Sequence, residues 1–156
     1  MDSVVLGIGN ILLTDDGAGV HAAQALTQRL KSAEGIRVID AGTLSFTLLP
    51  YLEDAENLIV FDAANFGAEP GTVRCLESKE MDDFLADGSR RRSVHEVGLD
   101  DLLAMARLQD ALPVRRALIC IQAAEVGWGL EPTPPVRAGV EVAASEALRL
   151  LDRWLL

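Results

Sequence analysis

The sequence Gly7-Ile-Gly-Asn-Ile-Leu-Leu-Thr-Asp-Asp-Gly-Ala-Gly19 joins an apolar segment to an amphipathic one. Before it, residues 3–8 are short, β-branched and bounded by glycine, which predicts a buried strand. After it, residues 20–30 carry an apolar residue at every third or fourth position, which predicts a helix packed on one face. The loop between them contains two adjacent carboxylates, Asp15 and Asp16. The loop after the first strand of an α/β sheet is a usual position for ligands, and acidic side chains there suit a cation.

A dinucleotide-binding loop is the main alternative for this stretch, because Gly7-Ile-Gly9 begins like the G-x-G-x-x-G motif. The third glycine of that motif would fall at the position of Leu12. A pyrophosphate at the start of the following helix would also face Asp15 and Asp16, which repel it. Spacing and charge therefore disfavour a nucleotide site.

Composition limits the class of protein and its partners. A chain of 156 residues that is 49% hydrophobic predicts one domain over residues 1–156 with a substantial core. The net charge of −10 argues against nucleic acid or an anionic membrane as a partner. No signal-peptide pattern and no apolar run of membrane-spanning length is present, so we expect a cytoplasmic protein. We also expect a monomer. Cys75 and Cys120 lie in apolar runs and are expected to be buried free thiols rather than a disulfide.

The rest of the chain alternates between strand-like and helix-like segments. Strands are predicted at 36–40, 57–62, 72–77 and 117–123, and helices at 46–52, 80–86, 99–108 and from Pro134 onward. The strand at 72–77 alternates imperfectly, which suits a sheet edge, and residues 87–93, with Arg90–Arg92, are expected to form a surface loop. This order predicts an α/β three-layer sandwich, in which a mostly parallel, twisted sheet of about five strands has helices on both faces.

Three acidic residues follow the predicted strands, Asp16 after the first, Asp40 at the end of the second and Asp62 at the end of the third. Because parallel strands end at the same edge of a sheet, these carboxylates should converge there. His95, one of two histidines, is the natural imidazole to join them. Such a set suits a divalent first-row metal with open positions. The alternative is that each aspartate caps the turn or helix that follows it.

Sequence motifs of several other hydrolases and metal sites are missing. The sequence contains no G-x-S-x-G nucleophile elbow, no HExxH and no CxxC. A general hydrolase with Ser45 or Ser93 as its nucleophile is still an alternative, and it predicts inactivation by serine-directed reagents. From the residues alone, the chain is a small acidic α/β protein with a cation site at the carboxyl edge of its sheet.

Four ordered motifs resemble those of the hydrogenase maturation proteases, and the segment 129–136 resembles the closing loop of that family. The motifs are residues 7–17, Asp40-Ala-Gly-Thr43, Phe61-Asp-Ala63 with Pro70-Gly-Thr72, and Ser93-Val-His-Glu-Val-Gly-Leu99. The resemblance implies an endopeptidase that removes a C-terminal extension from the large-subunit precursor of a nickel-containing hydrogenase after nickel insertion. It implies that nickel is carried by the substrate rather than held tightly by the enzyme.

Carried over by position, the resemblance implies that Asp16, Asp62 and His95 contact the metal and that Asp40 has a supporting role. The family often has glutamate where this chain has Asp16, so the carboxylate here reaches one methylene less far. Two mechanisms stay open. Either the metal polarises the scissile carbonyl or acidifies a bound water, or it serves recognition while Asp40 or Asp16 acts as general base. The competing class is a non-catalytic nickel-binding chaperone for the large subunit.

Overall fold

The fold is a five-stranded sheet between two layers of helices. The computed structural model describes residues 2–42, 46–87 and 93–155. The strands are β1 (Ser3–Ile8), β2 (Ile36–Gly42), β3 (Asn57–Ala64), β4 (Val73–Glu77) and β5 (Arg115–Gln122). The α-helices are α1 (Ala18–Arg29), α2 (Leu49–Glu53), α3 (Lys79–Ala86), α4 (Val94–Leu108) and α5 (Pro134–Leu155), with single 3₁₀ turns at Thr14–Gly17 and Phe46–Leu48.

The strand order is β2-β1-β3-β5-β4, with β4 alone antiparallel to its neighbour. Only residues 65–72 separate β3 from β4. A parallel crossover needs a dozen residues or more, so the short connection forces β4 to run in the opposite direction. The predicted five-stranded, mostly parallel sheet is confirmed, and so is the position of β4 at an edge.

The core lies on both faces of the sheet. Every residue of the central strands β1 and β3 is buried, because both faces of these strands are covered. Helices α1 and α5 pack on one face, and α2, α3 and α4 pack on the other. Gly19 brings α1 close to the sheet, since a Cβ there would collide with the carbonyl oxygens of Ile8 and Phe61. This close approach holds the loop at 9–17 over the ends of β1 and β3.

Helix α4 begins at Val94, five residues before the predicted start at Leu99. Ser93 caps it, because its Oγ accepts a hydrogen bond from the backbone N–H of Glu96 at 3.1 Å. Ser93-x-x-Glu96 has the spacing of a capping box. Gly98, a poor helix former, lies inside the helix and concealed its true start. His95 therefore lies in the first turn of a helix rather than in a loop.

Helix α5 is amphipathic and long. The residues buried on its core side include five of the six predicted there: Val136, Val140, Ala144, Ala147 and Leu151. Its other side is exposed and charged, and none of the helices that the structure describes has the continuous apolar length needed to cross a bilayer.

The two cysteines are free thiols, as predicted, but only Cys120 is buried and Cys75 is half-buried. Cys75 in β4 pairs with Ile119, and Cys120, the next residue along β5, pairs with Arg74. Because side chains alternate along a strand, the two sulfur atoms point to opposite faces of the sheet. Burial raises the pKa of the Cys75 thiol to about 11, so this group stays protonated and unreactive.

Candidate active site at the carboxyl edge of the sheet

The imidazole of His95 lies between two carboxylates. Its Nε2 is 3.5 Å from Oδ2 of Asp16, and its Nδ1 is 3.4 Å from Oδ1 of Asp62. These are the three residues that the resemblance implies as metal contacts, and the structure brings them together at one point. We call this group the Asp16–His95–Asp62 cluster.

Each member of the cluster comes from a different element. Asp62 lies near the end of β3 and points toward the helix layer that contains α4. His95 projects from the first turn of α4. Asp16 lies in the 3₁₀ turn after β1, and its Oδ2 accepts a hydrogen bond from the backbone N–H of Asn10 at 3.0 Å. Asp16 therefore acts as a local cap as well as a member of the cluster.

Burial differs sharply within the cluster. The Asp62 side chain is 1% exposed, whereas Asp16 and His95 expose 19% and 20% of their side chains. Burial raises the pKa of Asp62 to about 6, with smaller increases from the charges of Glu96 and Asp16, although His95 opposes the rise. The pKa of His95 is also raised, chiefly by its interaction with Asp62, against the opposing effect of burial. The same negative charges that raise these two pKa values also favour a metal cation in place of the proton on Asp62 or His95.

The polar atoms of the cluster are poorly satisfied by the protein. Within residues 2–42, 46–87 and 93–155, neither oxygen of Asp62 nor Nδ1 of His95 has a hydrogen-bond partner. The 3.4 Å contact between Nδ1 and Oδ1 lacks the alignment of a hydrogen bond. Buried polar atoms without partners are uncommon and call for an explanation, such as a ligand.

The cluster is an open set of donors rather than a preformed metal site. Opposite ring nitrogens of His95 face the two carboxylates. Contact of all three side chains with one ion requires the imidazole to turn away from one of them. Accordingly, the described part of the chain contains no group of three or more histidine, cysteine or acidic side chains arranged to hold a metal.

Asp40 reaches the same edge of the sheet from the other face. It pairs in register with Gly7, which also pairs with Phe61. Side chains of residues paired in register project from the same face of the sheet. The Asp40 side chain therefore projects from the same face as Phe61, and Asp62 projects from the opposite face. Its Oδ1 accepts a hydrogen bond from the backbone N–H of Gly42 at 2.9 Å. This is the turn-capping role that the sequence left open for Asp40.

Asp15 has a role that the sequence did not reveal. It is fully buried, and its carboxylate accepts hydrogen bonds from the backbone N–H groups of Ala124, Glu125 and Thr133 at 2.7–2.9 Å. The hydroxyl of Thr133 donates to the same carboxylate. Burial alone would raise the pKa of Asp15, but these hydrogen bonds lower it overall. Asp15 thus fastens the loop that contains Asp16 to the segment 124–133.

Glu96 is a second acidic residue that sequence reasoning missed. It is 1% exposed, follows His95 directly, and raises the pKa of both His95 and Asp62. The sequence does contain a pattern that predicts this position, because the capping-box spacing from Ser93 places Glu96 in the first turn of a helix, next to His95. Thr133, by contrast, precedes α5 as predicted, but its hydroxyl donates to Asp15. Ser45 and Arg90–Arg92 lie outside the described residues.

The raised pKa of Asp62 gives a stability prediction. A folded-state value of about 6 against the ordinary 3.8 means that ionisation of Asp62 opposes folding. The contribution of this carboxyl group to stability is greatest below about pH 4. As the pH rises through about 6, the free energy of unfolding falls by about 3 kcal/mol. We expect the Asp62→Asn protein to have a higher Tm than wild type at pH 7.5, with the difference vanishing near pH 4. Calorimetric scans across this range measure it, and a lower Tm at pH 7.5 contradicts it.

Comparisons with known proteins agree on one family. A family model described as hydrogenase maturation protease matches residues 20–150. The hydrogenase expression/formation protein HupD of Rhodobacter capsulatus is 38% identical over 152 residues, covering 97% of this chain and 71% of HupD. The hydrogenase 2 maturation protease of Escherichia coli is 33% identical over 156 residues, covering 97% of this chain and 91% of that protein.

A solved structure shows the same architecture. The hydrogenase maturating endopeptidase HybD from E. coli is similar with a TM-score of 0.90 and 31% sequence identity. The match covers 98% of this chain and 93% of HybD. The likeness therefore extends over the whole α/β sandwich, including the edge at which the Asp16–His95–Asp62 cluster lies.

Proposed function

Because the chain belongs to the hydrogenase maturation protease family, we propose that it cleaves a C-terminal extension from the large-subunit precursor of a nickel-containing hydrogenase after nickel insertion. The bound nickel is the feature by which the enzyme recognises a finished precursor. We also propose that residues 1–156 act as one domain, as a cytoplasmic monomer, without nucleic acid or a membrane as a partner.

The observation that carries the proposal is the position of His95 between Asp16 and Asp62 at 3.5 and 3.4 Å. Two carboxylates and one imidazole are suitable ligands for nickel. With no thiolate among them, three such side chains form an incomplete shell that holds a free ion loosely. A precursor that brings its own nickel completes the shell from the other side. The enzyme thereby distinguishes loaded from empty precursor, because its donors stay unpaired in the wrong complex.

The burial pattern suits an ion that arrives with the substrate. Asp16 and His95 are partly exposed, whereas Asp62 is buried behind the imidazole. The substrate's nickel meets Asp16 and His95 first. Asp62 then either orients the imidazole from behind or joins the shell when the ring turns. A carboxylate behind a ligating histidine is a common arrangement that fixes the ring and raises its basicity.

Two mechanisms follow from this arrangement. In one, nickel supplies a Lewis acid for the scissile carbonyl or an acidified water. In the other, nickel anchors the precursor while Asp16 or Asp40 takes a proton from the attacking water. Asp16 lies within the cluster, whereas Asp40 would act from the opposite face of the sheet, where its Oδ1 already accepts from Gly42. The position of Asp16 within the cluster supports Asp16 over Asp40 as the general base.

The serine-hydrolase alternative has less support than the cluster. The Ser93 hydroxyl oxygen accepts the N–H of Glu96 as a helix cap. No general base is seen in contact with Ser93 among the described residues. Ser45 lies outside the described residues, so the proposal does not depend on it.

The proposed function predicts that processing depends on the nickel content of the precursor. Nickel-loaded and nickel-free precursor are incubated in parallel with the purified protein, and loss of the C-terminal peptide is followed by mass spectrometry. We expect cleavage of the loaded form only. A synthetic peptide that spans the cleavage site is the matched control and should stay intact. Equal cleavage of loaded and empty precursor contradicts recognition of nickel, and cleavage of neither contradicts the protease assignment for this substrate.

A series at Asp16 separates a ligand from a cap. Asp16→Ala removes the carboxylate and should slow processing at least about a hundredfold. Asp16→Glu keeps the charge and restores the reach that is usual in the family, so we expect a loss below about tenfold. Asp16→Asn keeps an acceptor for the N–H of Asn10 but removes the charge. Processing rates of the three variants on nickel-loaded precursor test this, and a wild-type rate for Asp16→Asn would show that Asp16 only caps the turn.

A further inference from the structure

Two loops beside the cluster expose a group of large apolar side chains. Ile11 and Leu12 lie in the first loop, and Val126, Trp128 and Leu130 lie in the loop after β5. These residues expose between 39% and 84% of their surface, and we call them the apolar rim. Single exposed apolar residues are normal, but a contiguous apolar group on a surface marks an interaction site.

The backbone joins the two loops of the apolar rim. Leu13 and Gly129 form a β-bridge, the N–H of Gly129 donates to the carbonyl of Leu12 at 2.9 Å, and the N–H of Thr14 donates to the carbonyl of Gly129 at 2.8 Å. Leu12 and Trp128 thus precede the two bridged residues directly. The bridge therefore brings Leu12 and Trp128 into neighbouring positions on the two joined loops.

The apolar rim is fixed before any partner arrives. The buried Asp15 carboxylate holds the backbone of Ala124, Glu125 and Thr133, at the two ends of the second loop. The hydroxyl of Thr14 adds a bond to the carbonyl of Glu125 at 2.8 Å. A surface that is already ordered loses little conformational entropy on binding, so its exposed side chains are available as a docking face.

We propose that the apolar rim docks an apolar segment of the large-subunit precursor and so presents its cleavage region to the Asp16–His95–Asp62 cluster. This inference rests on the proposed function. The rim continues directly into the cluster, because Asp16 follows the bridged Leu13 by three residues in the same loop. This continuity of the backbone supports the rim as the surface against which a protein substrate cleaved at the cluster lies.

The charges around the rim exclude other occupants. Glu125 and Glu131 are exposed within the second loop, and Asp16 borders the first. Of these, Glu131 has an ion-pair partner in Arg137. The acidic border repels nucleic acid and anionic membranes. A second copy of the chain would bring an equal acidic border against it, so the precursor is the occupant that the surface favours.

Binding of purified hydrogenase large-subunit precursor, measured by calorimetry apart from cleavage, tests the inference. We expect Trp128→Ser and Leu12→Ser each to weaken binding at least tenfold, since exposed aromatic and aliphatic anchors dominate such interfaces. Leu108→Ser and Val114→Ser are the matched controls. Leu108 and Val114 are 83% and 82% exposed, at the opposite edge of the sheet, and should bind as wild type. Circular dichroism and Tm should be unchanged in all four proteins.

The outcomes separate this inference from the proposed function. Wild-type precursor affinity in both rim variants overturns the docking inference and leaves the cleavage assignment intact. An equal loss in the control variants also overturns it, because the effect is then not specific to the rim. Dimerisation of the wild type, abolished by Trp128→Ser without loss of precursor affinity, assigns the rim to a second copy and overturns the inference. Absence of precursor binding by the wild-type protein overturns both.

Discussion

The His95→Ala protein should fold normally and leave a nickel-loaded large-subunit precursor uncleaved, with a rate about a thousandfold below wild type. His95 supplies the only nitrogen donor of the cluster and lies within 3.5 Å of both carboxylates. Without it, Asp16 and Asp62 lose the imidazole that lies between them, so their mutual repulsion is no longer offset by a positive charge. Mass spectrometry of the precursor over several hours measures the loss.

The other histidine provides the control for this experiment. His21 lies on α1, on the opposite face of the sheet from α4, and His21→Ala should process the precursor at close to the wild-type rate. Circular dichroism of both variants checks the fold. Near-normal processing by His95→Ala with an unchanged spectrum would remove His95 from the site. Loss of processing in both variants would point to general damage instead.

The second large effect is expected at Asp15. Asp15→Ala should lower the free energy of unfolding by about 3–5 kcal/mol, because three backbone N–H groups and one hydroxyl lose a buried charged acceptor. The rate of precursor processing should fall together with the stability, because Asp15 anchors the loop that also contains Asp16. Urea unfolding measures the stability. The lowered pKa of Asp15 means that its stabilisation is complete above about pH 4 and is lost only as the pH falls through the folded-state value.

Two further variants make the Asp15 result interpretable. Asp152→Asn changes an exposed aspartate of α5 and should alter the free energy of unfolding by less than about 0.5 kcal/mol. Asp15→Asn keeps one acceptor oxygen but turns an amide toward backbone donors, so we expect a stability between those of alanine and wild type. An Asp15→Ala protein as stable as wild type would show that the segment 124–133 does not depend on this carboxylate.

Much of the fold was predictable because it depends on local patterns. The segments 3–8 and 57–62 are almost continuously apolar, as expected of strands buried on both faces, and the observed β1 and β3 include them. The convergence of Asp16 and Asp62 at one edge follows from the common direction of parallel strands. The predicted start of α4 at Leu99 was wrong because Gly98, a poor helix former, lies inside the helix that Ser93 caps.

The roles of the individual carboxylates were not predictable in this way. In sequence, Asp15 and Asp16 are equivalent neighbours, and only the position of the segment 124–133 decides that Asp15 turns inward. The partners of Asp15 are 109–118 residues away, beyond the reach of any local pattern. The face from which Asp40 projects depends on register, which the order of elements alone does not set. The roles of Asp15, Asp16 and Asp40 therefore depend on tertiary contacts, which the local sequence around each residue does not specify.

The long-range anchoring of Asp15 also bears on when the protein becomes active during synthesis. Strands β1, β2 and β3 are complete by residue 64, so they can pair while translation continues. Asp15 cannot find its last partner until residue 133 has left the ribosome. At about 5–20 residues per second, the 69 residues from 64 to 133 take roughly 3–14 s. The loop that contains Asp15 and Asp16 is therefore anchored only after residue 133 has emerged, and a nascent chain with only β1, β2 and β3 lacks this anchor.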